Sequence, residues 1–100
     1  MSRPATYAPR AAQDLRDAIA WITQEHPAAA ERLRQAALVA ARRIGANPAI
    51  GAPRPRLADP RFRFLRLPGF PYLMIYTAGP DLPRILRVLH MARDLPLLLA

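Results

Sequence analysis

The spacing of apolar residues changes part-way along the chain, from a period near 3.6 to a period near 2, and this change constrains the fold more than any other feature. In the first half Leu15, Ala18, Ile19 and Ile22 recur at three and four residues and predict a helix over residues 11–25. Trp21 falls beside that stripe. Leu33, Ala37, Ala40 and Ile44 share a second face, widened by Leu38 and Ala41, and predict a helix over residues 28–44. Pro27 ends the first helix and suits the first position of the second. Gly45 reads as the C′ glycine of the second helix, and Asn47-Pro48 ends it. Asp14 and Asp17 lie toward one N-terminus and Arg42 and Arg43 toward the other helix's C-terminus, as the helix dipole favours. Two amphipathic helices with almost no loop make a helical hairpin.

After a proline- and glycine-punctuated loop over residues 46–60, the pattern becomes that of strands. Residues 61–67, 71–77 and 84–90 read as three of them, separated by Pro68-Gly69 and Gly79-Pro80-Asp81. Short turns imply antiparallel pairing. Both faces of Tyr72 to Tyr76 are apolar, which marks a central strand covered by the helices on one side. Residues 3–8 read as a short first strand that Pro9 ends while opening the first helix. The expected fold is α+β, in the order β-α-α-β-β-β: a helical hairpin on a mainly antiparallel sheet, with residues 1–100 as a single domain.

Composition narrows the function classes. The chain of 100 residues is 52% hydrophobic, too apolar to stay disordered. It has no cysteine, which excludes disulfides, thiolate metal sites and a cysteine nucleophile. Met1 to Thr6 lacks the apolar core of a signal peptide, and the runs 36–41 and 95–100 are too short to span a bilayer. A cytoplasmic protein is therefore expected. The net charge is +8, and all fifteen basic residues are arginine. Residues 1–50 hold seven arginines against four acids (+3), and residues 51–100 hold eight against three (+5). A GC-rich gene enriches Ala, Arg and Pro together and explains the missing lysine, but not the uneven charge. A surplus of arginine favours polyanions or an acidic partner.

Four local motifs, in order and covering nearly the whole chain, resemble the RelE/ParE toxin superfamily, nearer its ParE branch. They are AAQDL (11–15), NPAIG (47–51), RLPGFPYLMIY (66–76) and ILRVLHMARD (85–94). The resemblance implies the toxin of a type II toxin–antitoxin system, held by a cognate ParD-like antitoxin. For the ParE branch it implies inhibition of DNA gyrase, with DNA contacted indirectly. For the RelE branch it implies ribosome-dependent cleavage of messenger RNA. A toxin fold that has lost its activity, or a plain nucleic-acid-binding module, is the third reading.

The candidate residues divide along the same lines. A ribonuclease would use His90 as acid or base, with Arg63, Arg66, Arg84 or Arg87. His90 has no evident carboxylate partner in sequence, so a structural histidine at a strand end is the favoured reading. Arginine does not replace the lysines typical of the RelE-like site as a proton carrier, because it stays protonated. A binding inhibitor would use Arg61, Arg63, Arg66, Arg87 and Arg93 toward target or antitoxin. Residues 54–66 hold five arginines against Asp59 alone, which is either a phosphate- or carboxylate-binding face or a solvated strand edge. Phe62 and Phe64 alternate with these arginines and read as core rather than as base-stacking platforms. Tyr72 and Tyr76 read as packing residues with a polar tip. Alanine-rich helix surfaces and an open sheet edge are the expected docking sites for an antitoxin. His26 and His90 are too isolated to make a metal site, and no motif asks for a cofactor.

Overall fold

The computed structural model describes residues 3–95. The apolar run 95–100 lies outside the described residues beyond Leu95, as do Met1 and Ser2. The elements are β1 (Thr6–Tyr7), α1 (Pro9–Thr23), α2 (Pro27–Ala46), β2 (Ala52–Pro53), β3 (Phe62–Arg66), β4 (Tyr72–Thr77) and β5 (Arg84–His90). This is the expected α+β fold, two helices on one sheet, with β2 as an added strand. The sheet order is β1-β5-β4-β3-β2; β1 runs parallel to β5 and every other pair is antiparallel.

The helices follow the apolar spacing. Ala11 and Ala18 of α1 are buried, with Leu15, Ile19 and Ile22 packed at the margin of the core. Leu33, Ala37, Ala40, Ala41 and Ile44 of α2 are buried, whereas Leu38 faces solvent and does not widen the core stripe. Pro9 and Pro27 stand in the first turns of their helices, where a missing N–H costs nothing. Gly45 is not a C′ residue. The helix runs on to Ala46, and a Cβ at position 45 would lie 1.9 Å from the Arg3 carbonyl oxygen. Its glycine lets the N-terminal segment pass against the helix. Gly69, at φ 81°, serves the expected turn, closed by Phe70 N–H donating to the Leu67 carbonyl at 3.2 Å.

The core has two faces, as the apolar β4 required. Tyr72, Met74 and Tyr76 turn toward the helices with Ile85 and Val88. Leu73 and Ile75 turn the other way, with Phe64 and Leu89, and are covered by Leu57 and Ala58 of the loop before β3. Each fully buried side chain, such as Leu33, Leu73 or Ile85, contributes roughly 1.5–3 kcal/mol over an exposed one. Tyr7 ties β1 to α2 by donating to the Ala37 carbonyl at 3.2 Å, and burial pushes its hydroxyl up to about 12.

The sheet edges are less open than expected. β1 and β2 are two residues each, and β2 contains Pro53. Past Ile85, no strand among the described residues lies on the outer side of β5. There the Val88 N–H donates to Asp14 and the His90 N–H to Asp94, so two carboxylates occupy donors that an incoming strand would need.

Candidate functional site

The arginines singled out in the sequence do not converge on one point. Arg87 is committed to the fold. Its Nε and a terminal nitrogen donate to Asp14 at 2.8 and 3.3 Å, while the same carboxylate accepts the Val88 N–H at 3.0 Å. The bond to Asp14 raises the Arg87 pKa above its ordinary value, against the opposing effect of burial. Arg10 approaches Asp14 less closely, at 3.7 Å. Asp14 does not act on the dipole of its own helix. Because α1 starts at Pro9, this residue lies beyond the first turn and pins α1 to β5.

His90 is likewise held by local structure. Its Nδ1 accepts the Ala92 and Arg93 N–H groups at 3.1 and 3.2 Å, and its own N–H donates to Asp94 at 2.7 Å. Its ring meets Tyr72 edge-on at 5.3 Å. The carboxylate partner that the sequence did not reveal is four residues ahead, but it grips the backbone and not the imidazole. The arrangement caps the turn after β5 and leaves Nδ1 occupied. Arg84 stands six residues before His90 on β5, paired with Thr77, so the proposed ribonuclease constellation is spread along the strand.

The loop from Pro48 to Gly51 is built on a buried tyrosine. The Tyr76 hydroxyl accepts the Gly51 N–H at 2.8 Å and donates to the Pro48 carbonyl at 2.7 Å. A Cβ on Gly51 would lie 2.7 Å from the Tyr76 ring and 2.9 Å from the Phe64 carbonyl. Arg63 completes the clasp by donating to the Gly51 carbonyl at 2.7 Å. Of the five expected contact residues, Arg63 and Arg87 are thus structural in their present bonds, while Arg61, Arg66 and Arg93 are exposed.

Two open features on the helix side have arginines in their lining. A groove of about 360 Å³ runs between α2 and β3, with Val39, Leu65 and Phe70 on its walls and Arg32, Arg43 and Arg66 among its lining residues. A cleft of about 350 Å³ lies between α1 and the end of β5, where the exposed Trp21 stands with Arg10, Arg93 and three aspartates, Asp14, Asp17 and Asp94. Among the described residues, no three His, Asp or Glu side chains gather as metal ligands.

A family model described as the ParE toxin of type II toxin-antitoxin system, parDE, matches residues 5–95. The chain belongs to the ParE toxin family. A solved structure of the chromosomal ParDE TA system from P. aeruginosa is similar to it in fold, with a TM-score of 0.72 and 22% identity over 87% of this chain and 94% of that one. No curated protein matches the chain.

Within this ParE-family toxin, the sequence reading of Arg93-Asp94 as a local turn fits the bonds between His90 and Asp94, but the roles of Asp14 and of the Tyr76 hydroxyl were missed. Asp14 had a signal: it sits among Ala11, Leu15 and Ala18, a carboxylate on the side of α1 that turns toward the sheet. Such a charge needs a partner. Its partners lie more than seventy residues away, so their identity was not visible locally.

Proposed function

We propose that this toxin acts by binding, that its target is DNA gyrase, and that a cognate ParD-like antitoxin neutralises it. Family membership supports the toxin, and one observation supports inhibition over RNA cleavage. Three of the side chains a ribonuclease would use are engaged in holding the fold: Nδ1 of His90 caps a turn, Arg63 clasps the Gly51 carbonyl and Arg87 pairs with Asp14. Acid–base catalysis needs a group free to exchange a proton with substrate. The groups left exposed, Arg61, Arg66 and Arg93, suit recognition of acidic surface. Action on gyrase places the toxin in the cytoplasm.

The antitoxin's place is the groove between α2 and β3. Its apolar walls and its arginines fit a segment that is apolar on one side and acidic on the other. Charge complementarity should speed association and make it salt-sensitive.

The deciding experiment is supercoiling of relaxed plasmid by purified gyrase with the toxin in molar excess, beside a ribosome-dependent translation reaction. Loss of supercoiling or build-up of cleaved DNA, with intact messenger RNA, is expected. Full supercoiling without cleaved DNA sinks the gyrase reading. Charge reversal at Arg66 and Arg93 should weaken inhibition more than reversal at Arg16 on α1.

A further inference from the structure

The sheet face opposite the helices carries cations in an unusual setting. The loop after β2 folds back on itself, with the Leu57 and Ala58 N–H groups donating to the Arg54 carbonyl at 2.9 and 3.1 Å. This turn lays Leu57 and Ala58 over the second apolar cluster. It also brings Arg54 over the Phe64 ring, 5.5 Å from its centroid, while Arg61 lies 4.9 Å over Phe62. Phe62 and Phe64 are two apart on β3 and share a face, with their Cα atoms about 7 Å apart. Two guanidiniums thus stand over rings that share one face of β3, and the exposed Arg56 lies between them in sequence.

Stacking orders an arginine without using its donors. A guanidinium lying over a ring keeps its N–H edge outward, and that fork matches phosphate in bidentate fashion. Asp59 is the only acid in residues 54–66, and it engages Arg61 through the backbone N–H at 2.9 Å, with Nε only at 4.0 Å. The positive charge here is thus almost unbalanced. Because the guanidiniums cover the phenyl faces, these aromatics cannot stack with bases. What remains is recognition of a regular row of phosphates.

We propose that Arg54, Arg56 and Arg61 form a surface that binds the sugar–phosphate backbone of duplex nucleic acid directly and without regard to base sequence. This surface lies on the face away from the α2–β3 groove. It does not depend on gyrase being the target, and a toxin neutralised through the groove would keep it.

The test is binding of the purified full chain to a fluorescent duplex DNA of arbitrary sequence, followed by anisotropy across a salt series. Three phosphate contacts give a slope of about −2.7 in log affinity against log salt, or about a 40-fold loss between roughly 50 and 200 mM. R54Q/R56Q/R61Q should reduce this loss to below about threefold, while R16Q/R42Q on the helices keeps it. The charge-retaining R54K/R56K/R61K should keep the slope and weaken binding several-fold, since lysine lacks the planar fork. An unchanged slope in the glutamine variant overturns the proposal. So does equal affinity of the lysine variant. Displacement of the duplex by polyglutamate at matched charge as readily as by unlabelled duplex assigns the face to acidic protein instead and overturns it too. Circular dichroism of each variant separates loss of binding from loss of fold.

Discussion

Replacing Tyr76 with phenylalanine removes one oxygen from the middle of the molecule and leaves every carbon in place. The side chain is fully buried, and its hydroxyl joins β4 to the loop that follows α2. In the variant the Gly51 N–H, itself buried, loses its acceptor, which costs about 1–3 kcal/mol. The half-buried Pro48 carbonyl loses a donor, at about 0.5–1.5 kcal/mol. No water can replace the hydroxyl without a cavity that the packed ring does not leave. The expected sum is about 2–4 kcal/mol, a large part of the roughly 5–15 kcal/mol that stabilises a domain. A fall in Tm of roughly 10–30 °C follows for a chain of this size. Urea unfolding followed by circular dichroism measures it, with the m-value unchanged if only the native state is affected. A loss below about 0.5 kcal/mol would show that the loop finds other partners and that the hydroxyl is not what holds it.

Three further outcomes are expected. Asp14→Ala should cost about 2–4 kcal/mol, because it strands the Val88 N–H and the Arg87 guanidinium together; Asp14→Asn, which keeps an acceptor, should cost clearly less, and equal losses in urea midpoint would contradict the assignment. Stability should fall at high pH through Tyr7, whose folded value of about 12 lies above the unfolded 10.0. Its contribution is complete below pH 10 and is lost as pH rises toward 12, so Tyr7→Phe should flatten the unfolding midpoint against pH in that window. His90→Ala should leave toxicity in cells largely intact while lowering thermal stability, since it removes the cap on the Ala92 and Arg93 N–H groups; a well-folded variant without toxicity would bring ribonuclease activity back into contention.

The helices and the central strands were legible because periodicity records which side of an element meets the core, and that record is local. The alternation through Tyr72 to Tyr76, and the recurrence of Leu33, Ala37, Ala40 and Ile44, were enough to place a helical hairpin on a sheet. Prolines at 9 and 27 marked helix starts because their missing N–H is tolerated only there. Four motifs in order were enough for the family. The two-residue β2 was not legible, since so short a strand exists only through its pairing with Phe64 and Arg63. Gly45 was misread for a related reason: its lack of a side chain answers to Arg3, forty-two residues earlier, and not to the end of its own helix. The candidate arginines show the same division most clearly. Composition determined that this would be an arginine-rich, unevenly basic protein. Which arginines are bound into the fold, as Arg63 and Arg87 are, and which stand in solvent or over an aromatic ring, as Arg61 does, was decided only when distant segments met. A charge's availability depends on its neighbours in space, and those neighbours are set by packing.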